Sequence, residues 1–139
     1  MKLKEMGSES SNDIIIGLID QILKADQLIM KWNQNITQAQ EYLYSDESLE
    51  KLAASCMMLE TIGELVKKID KIFPQFLEIK DPTIPWKKIM RLRDRIAHGY
   101  FDLDSDIIFE VIQKDLPQWN ASLINIKAQI IETNHKNKL

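Results

Sequence analysis

The sequence predicts an all-α fold, an antiparallel bundle of four to five helices, and three observations carry that prediction. Apolar residues recur at helical spacing through most of the chain. Only 4 glycines and 4 prolines interrupt 139 residues, and Ile, Leu, Lys, Glu and Gln are abundant, a composition that favours helix. No segment alternates polar and apolar residues with the period of two that marks a strand. With 45% apolar residues, one domain of this length can bury a core.

Taken in order, residues 1–11 read as a flexible, polar approach, residues 12–133 as the helical domain, and residues 134–139 as a second flexible tail. Asn12 or Asp13 is placed to cap a first helix to about Trp32, with Ile15, Leu18, Ile19, Ile22, Ala25, Ile29 and Trp32 on one face. Residues 33–44 form a short helix or helical turn, whose Tyr42 and Tyr44 are available to pack or to meet a partner. Asp46 begins a second long helix to about Lys71, bearing Leu49, Leu52, Ala53, Cys56, Leu59, Gly63, Val66 and Ile69. Glycine inside a helix costs about 1 kcal/mol against alanine, so Gly63 points to close packing with another helix. Prolines 74, 82 and 85 mark residues 73–85 as the longest break. A helix from Pro85 or Trp86 to His98 comes next, then one capped by Asp102, Asp104 or Asp106 to about Lys114, and a last one opened by Pro117 and ending near Thr133.

Composition also limits function. The formal net charge is -3, which argues against a protein that coats nucleic acid by bulk electrostatics. Any RNA contact must come from a local patch, and Lys87, Lys88, Arg91, Arg93 and Arg95 against the single acid Asp94 supply one. For Lys87 and Lys88 taken alone, a solvated helix face is an equal reading. The one cysteine, Cys56, excludes an intrachain disulfide, fits a reducing cytosol, and in its setting LAASCMML reads as a small core residue. The longest apolar run, Ile14 to Ile19, is too short to span a bilayer and contains Gly17, so a cytoplasmic protein without a membrane segment is expected.

The chemistry concentrates between Trp86 and Phe101, in WKKIMRLRDRIAHGYF. Trp86, Ile89, Met90, Ile96 and Ala97 form an apolar stripe, and Arg93 falls in its middle. A guanidinium cannot shed its charge, so on a buried face it needs an anionic partner or ligand. His98 is the only histidine outside the C-terminal tail, Gly99 stands after it as a helix stop, and Tyr100 comes next. An arginine that grips an anion and a histidine that moves protons point to phosphodiester chemistry. Metal hydrolysis is not expected: no second histidine or cysteine lies at ligand spacing. Asp102, Asp104 and Asp106 imitate a calcium loop, but Ile107 stands where its glycine belongs and Gln113 where its glutamate does.

The run Arg93, residues 94–97, His98, Gly99 and Tyr100 resembles the signature of HEPN-domain proteins, in particular the HepT-like toxins of toxin–antitoxin pairs. Ile62-Gly63-Glu64, Ile84-Pro85-Trp86 and Asp115-Leu116-Pro117 look like that branch too, and the likeness covers roughly residues 14–131. The resemblance implies a metal-independent endoribonuclease that works as a homodimer, needs no cofactor, and cuts tRNA or mRNA. It further implies a partner antitoxin of the MNT nucleotidyltransferase type that attaches AMP to Tyr100.

Residues five apart on an ideal helix sit about 140° apart around the axis, so Arg93 and His98 do not converge from mid-helix. Either the helix end unwinds and redirects the histidine, or two copies of the motif face each other across a two-fold axis. His98 is expected to act as general base or acid and Arg93 to stabilise the charged transition state, leaving a 2′,3′-cyclic phosphate and a 5′-hydroxyl. Asp94, one turn before His98, either orients the imidazole or pairs with Lys87, Lys88 or Arg91. Glu64 is expected to support a motif-helix arginine by pairing with it, a role that Glu60 could equally fill, with direct proton transfer as the alternative. AMP on Tyr100 would block an RNA cleft by charge and bulk. The alternative is a non-catalytic HEPN module that binds a nucleotide or a nucleotidyltransferase partner.

Overall fold

A computed structural model describes residues 2–97 and 103–138, and among them every regular element is helical. In chain order these are α1 (Lys2–Trp32), a 3-10 turn (Ala39–Leu43), α2 (Asp46–Ile72), α3 (Phe76–Lys80), α4 (Trp86–Ile89), α5 (Leu92–Ile96), α6 (Ser105–Glu110), a π turn (Val111–Asp115) and α7 (Leu116–Lys138). No helix among the described residues is long and apolar enough to cross a membrane.

Helix α1 is the shared wall of the bundle. It packs along both α2 and α7, which scarcely touch each other. Its Ile15, Leu18, Ile19, Ile22, Ala25 and Ile29 are buried, as their spacing predicts. Asn12 Nδ2 donates to Asn134 Oδ1 at 3.1 Å, and Lys127 pairs with Asp20 at 2.6 Å, so α7 runs antiparallel to α1. Both helices outrun the ends expected for them. Lys, Glu and Met in the first turns are good helix formers, so α1 starts at Lys2 and Asn12 serves as a cross-link instead of a cap. At the other end, α7 continues past Thr133 to Lys138.

Helix α2 begins where expected, with Ser45 Oγ accepting the Ser48 N–H at 3.1 Å and Asp46 and Glu47 in the first turn. Leu52, Cys56, Leu59, Ile62, Gly63, Val66 and Ile69 face the core. Leu49 and Ala53, expected on the same face, are exposed, because the buried stripe passes through Ser55 instead. Ser55 Oγ accepts from Asn33 Nδ2 at 2.8 Å, while Asn33 Oδ1 accepts the Tyr42 hydroxyl at 2.6 Å. This chain of bonds ties the 3-10 turn to the end of α1 and to α2. Burial, with a smaller contribution from Glu41, pushes the Tyr42 phenol up to about 12. Tyr44, by contrast, is exposed.

The proline-rich break holds the short α3 and is organised by Asp81. Its carboxylate accepts from the Thr83 hydroxyl and N–H and from Ser122 Oγ of α7 at 2.7 Å, and these bonds hold it below the usual carboxylate range. The Asp81 carbonyl takes the indole N–H of the buried Trp86 at 2.9 Å, which seats the start of α4.

Two expected helices differ from the observed ones. Residues 105–138 form one continuous helical run, not two helices divided at Pro117. Proline has no N–H to offer the preceding turn, and here a π turn precedes it, with the Leu116 N–H reaching back to the Val111 carbonyl. The second difference shapes the site.

Candidate active-site cleft

The expected single helix from Trp86 to His98 is broken into α4 and α5. Around the break the bonds tighten: the Arg91 N–H donates to the Lys88 carbonyl and the Asp94 N–H to that of Arg91. The break lies against α2. A Cβ built on Gly63 would stand 2.7 Å from the Ile89 carbonyl oxygen, so α4 comes against α2 through the one residue that leaves room for it. Gly63 thus has the packing role its position predicts.

The buried side of this stretch runs through Ile89, Leu92 and Ile96, spaced three and four apart. Leu92 and Ile96 become the buried residues of α5, and Arg93, expected within the apolar stripe, is exposed. It lines two adjoining clefts. The larger, about 580 Å³, is bounded by Ala53, Cys56, Met57 and Glu60 of α2, Arg93 of α5, and Ala97 and Leu103. The smaller, about 360 Å³, includes Gln21 of α1, Thr61, Glu64 and Lys68 of α2, and again Met57, Glu60 and Arg93.

Helix α5 ends at Ile96, and Ala97 is extended (φ -134, ψ 121). Ala97 pairs with Leu103 in an isolated antiparallel bridge, and the Asp104 N–H donates to the Ile96 carbonyl at 3.1 Å. Asp104 then caps α6 by accepting the Ile107 N–H at 3.0 Å, the capping role expected of it. The chain therefore leaves helical geometry at Ala97. His98, Tyr100 and Asp102 lie outside the described residues.

The basic patch is exposed in full: Lys87, Lys88, Arg91, Arg93 and Arg95 all face solvent. Among the described residues none of them forms an ion pair, and neither does Asp94. Glu64 does not hold a motif arginine; it pairs with Lys67 at 3.2 Å, one turn along the same helix. Glu60 stands closer to the expected supporting place, since it lines both clefts together with Arg93. It also accepts a weak contact from Cys56 Sγ at 3.8 Å. Burial first, and the Glu60 charge second, push the Cys56 thiol up to about 11, so it is a neutral wall of the cleft and not a nucleophile.

Met57, Lys68, Gln21 and Leu103 belong to the clefts without having been marked by the sequence pattern. The available signal was the outer stripe of α2, Ala53, Met57, Glu60 and Glu64, spaced three and four apart on the face turned from the core.

These features define a helical-bundle protein with an arginine-edged cleft. The family model described as ribonuclease HepT-like matches residues 22–126, and the chain belongs to the HepT-like family. A Methanocaldococcus jannaschii protein named "putative RNase" is 31% identical over 108 residues, 76% of this chain and 84% of the relative. A "putative RNase" of Caldanaerobacter subterraneus subsp. tengcongensis is 42% identical over 60 residues, 43% of this chain and 50% of the relative. A Thermococcus cleftensis protein named "probable ribonuclease HepT" is 36% identical over 59 residues, 42% of this chain and 50% of the relative. In several such comparisons the chain spans about half the length of the curated relative it matches. No solved structure matches the chain significantly.

Proposed function

We propose that this chain is a metal-independent endoribonuclease, the toxin of a toxin–antitoxin pair, acting in the cytoplasm with Arg93 and His98 as its catalytic residues. One observation carries the reading: Arg93 and Ala97, the residue to which His98 is joined, line the same cleft, and Ala97 is already extended. That supports the unwound-end route to convergence. His98 takes the proton of a ribose 2′-hydroxyl, or returns one to the leaving 5′-oxygen. Arg93, with no ion pair to compete among the described residues, stabilises the charge that builds on the phosphorus oxygens. Lys87, Lys88, Arg91 and Arg95 hold the flanking backbone of a tRNA or mRNA. Asp94 orients the imidazole, and Glu64 shapes the smaller cleft.

The chain acts as a homodimer through the same side of the molecule. Leu49, a large apolar residue on α2 one turn before the cleft's Ala53, is 47% exposed, which supports a second copy there. An MNT-type nucleotidyltransferase silences the enzyme by attaching AMP to Tyr100, which adds negative charge and bulk next to the cleft.

The test is cleavage of total RNA in EDTA by protein that mass spectrometry shows to carry no AMP, with Arg93→Ala and His98→Ala alongside. Cleavage in EDTA that both substitutions abolish is the expected result. A dimeric, unmodified protein that cuts neither tRNA nor mRNA would return the assignment to a non-catalytic nucleotide- or partner-binding module.

A further inference from the structure

The larger cleft has a chemical arrangement that phosphodiester cleavage alone does not call for. Glu60 and Arg93 both line it, yet they form no ion pair. Between and around them the wall is apolar or neutral: Ala53, Cys56, Met57, Ala97 and Leu103. A carboxylate and a guanidinium that share a cavity without neutralising each other complement a ligand that carries donors at one end and an anion at the other. A nucleotide is such a ligand, and about 580 Å³ falls in the size range of small-molecule sites.

A carboxylate selects among bases, because it offers two acceptor oxygens side by side. Guanine presents two neighbouring N–H donors, N1 and N2, on its Watson–Crick edge. Adenine and cytosine present one amino donor beside a ring acceptor, which would face the second carboxylate oxygen and be repelled. Uracil flanks its one N–H with two carbonyls.

We propose that this cleft is a guanine subsite for single-stranded RNA, in which Glu60 accepts the N1 and N2 protons of the base while Arg93 holds the adjoining phosphate. The base lies against Met57 and Leu103 in the manner of an unstacked base on a protein surface. The proposal rests on the ribonuclease reading for its biological meaning, but the subsite can be measured without turnover. Glu60 is a specificity residue here, and its loss leaves the phosphate contact in place.

The experiment is titration of the intact protein with 5′-GMP, AMP, CMP and UMP, monitored by calorimetry and by the methyl signal of Met57. It is paired with sequencing of cleavage sites in RNA. The wild type should bind GMP roughly tenfold or more tightly than the other three, the discrimination that a good bidentate contact provides. Glu60→Gln should bring the four within about twofold of one another by removing one of the two acceptors. Arg93→Ala should weaken all four together. Equal binding of the four nucleotides, no binding of any, or a GMP preference that survives Glu60→Gln would overturn the subsite. Cleavage that shows no enrichment of G beside the cut would overturn it as well, while leaving the ribonuclease reading intact. A GMP preference lost in Glu60→Gln, in a protein that cuts no RNA, would support the subsite and overturn the ribonuclease reading instead. Circular dichroism of Glu60→Gln, a conservative change at the molecular surface, separates a lost fold from a lost contact.

Discussion

Replacing Gly63 by alanine tests the contact that gives the site its shape. In an open helix the change would stabilise by about 1 kcal/mol, since glycine is the poorer helix former. At this position the new methyl would lie 2.7 Å from the Ile89 carbonyl oxygen. An ordinary carbon–oxygen contact needs roughly 0.5 Å more, and its partner is backbone, which cannot swing aside as a side chain does. Overpacking of this kind costs roughly 1–3 kcal/mol, and a site this short of room belongs at the upper end. Set against the propensity gain, the net loss is about 1–2 kcal/mol, or ~3 to 8 °C in the melting temperature of a domain this size. Gly17 supplies the control within the same protein. It is also helical, and a Cβ there meets nothing within 4 Å. Gly17→Ala should therefore raise stability by about 1 kcal/mol. Thermal and urea melts of the three proteins by circular dichroism measure both effects. If Gly63→Ala proved as stable as the wild type, or moved in the same direction as Gly17→Ala, the close approach of α4 to α2 would be refuted as the reason for the glycine.

Three further outcomes are expected. Asp26 is fully buried with neither carboxylate oxygen hydrogen-bonded, and desolvation raises it to about 7. A folded value above the unfolded one means that the contribution of Asp26 to stability is most favourable below about pH 4 and is lost as pH rises toward 7. Asp26→Asn should flatten that slope and stabilise at pH 8 by on the order of 2–4 kcal/mol, as read from urea midpoints at pH 5 and pH 8. Tyr42→Phe leaves the buried Asn33 Oδ1 without its donor and should cost about 1–2 kcal/mol in the same assay. Cys56, its thiol pushed up to about 11 and buried, should react with iodoacetamide near pH 8 at least ~100-fold more slowly in the native protein than in urea. Comparable rates would show the cleft wall to be open at that thiol.

Local signals proved legible where local physics decides. The α1 core stripe, the start of α2, the capping role of Asp104 and the tight place of Gly63 stem from periodicity, capping chemistry and propensity, and each is observed. The break between α4 and α5 could not be read from the sequence, because KKIMRLRDRI contains neither glycine nor proline. It falls where the Ile89 carbonyl meets α2, a contact made only in the folded chain. Arg93 is exposed because Ile89, Leu92 and Ile96, spaced three and four apart, hold the buried side, and the stripe drawn through Arg93 passed over Leu92. Pro117 misled in the opposite direction: it reads as the opening of a new helix, yet the π turn before it carries one helical run through. Glu64 was drawn by its nearest neighbour, Lys67, since a pair one turn apart forms without any tertiary arrangement. The extended backbone of Ala97 is likewise set by a partner, Leu103, that the local pattern does not show.

The place of α1 between α2 and α7 has a consequence for how the chain folds. Its pairing with α2 joins segments that are consecutive in sequence. Its bonds to α7, Asn12 with Asn134 and Asp20 with Lys127, close spans of 122 and 107 residues. The entropy of closing a loop rises with its length, and contacts of long span reward the chain late. The α1–α2 hairpin is thus expected to form first, with α7 docking onto it. The amides of α7 should then be the first among the long helices to exchange with solvent deuterium in the native protein.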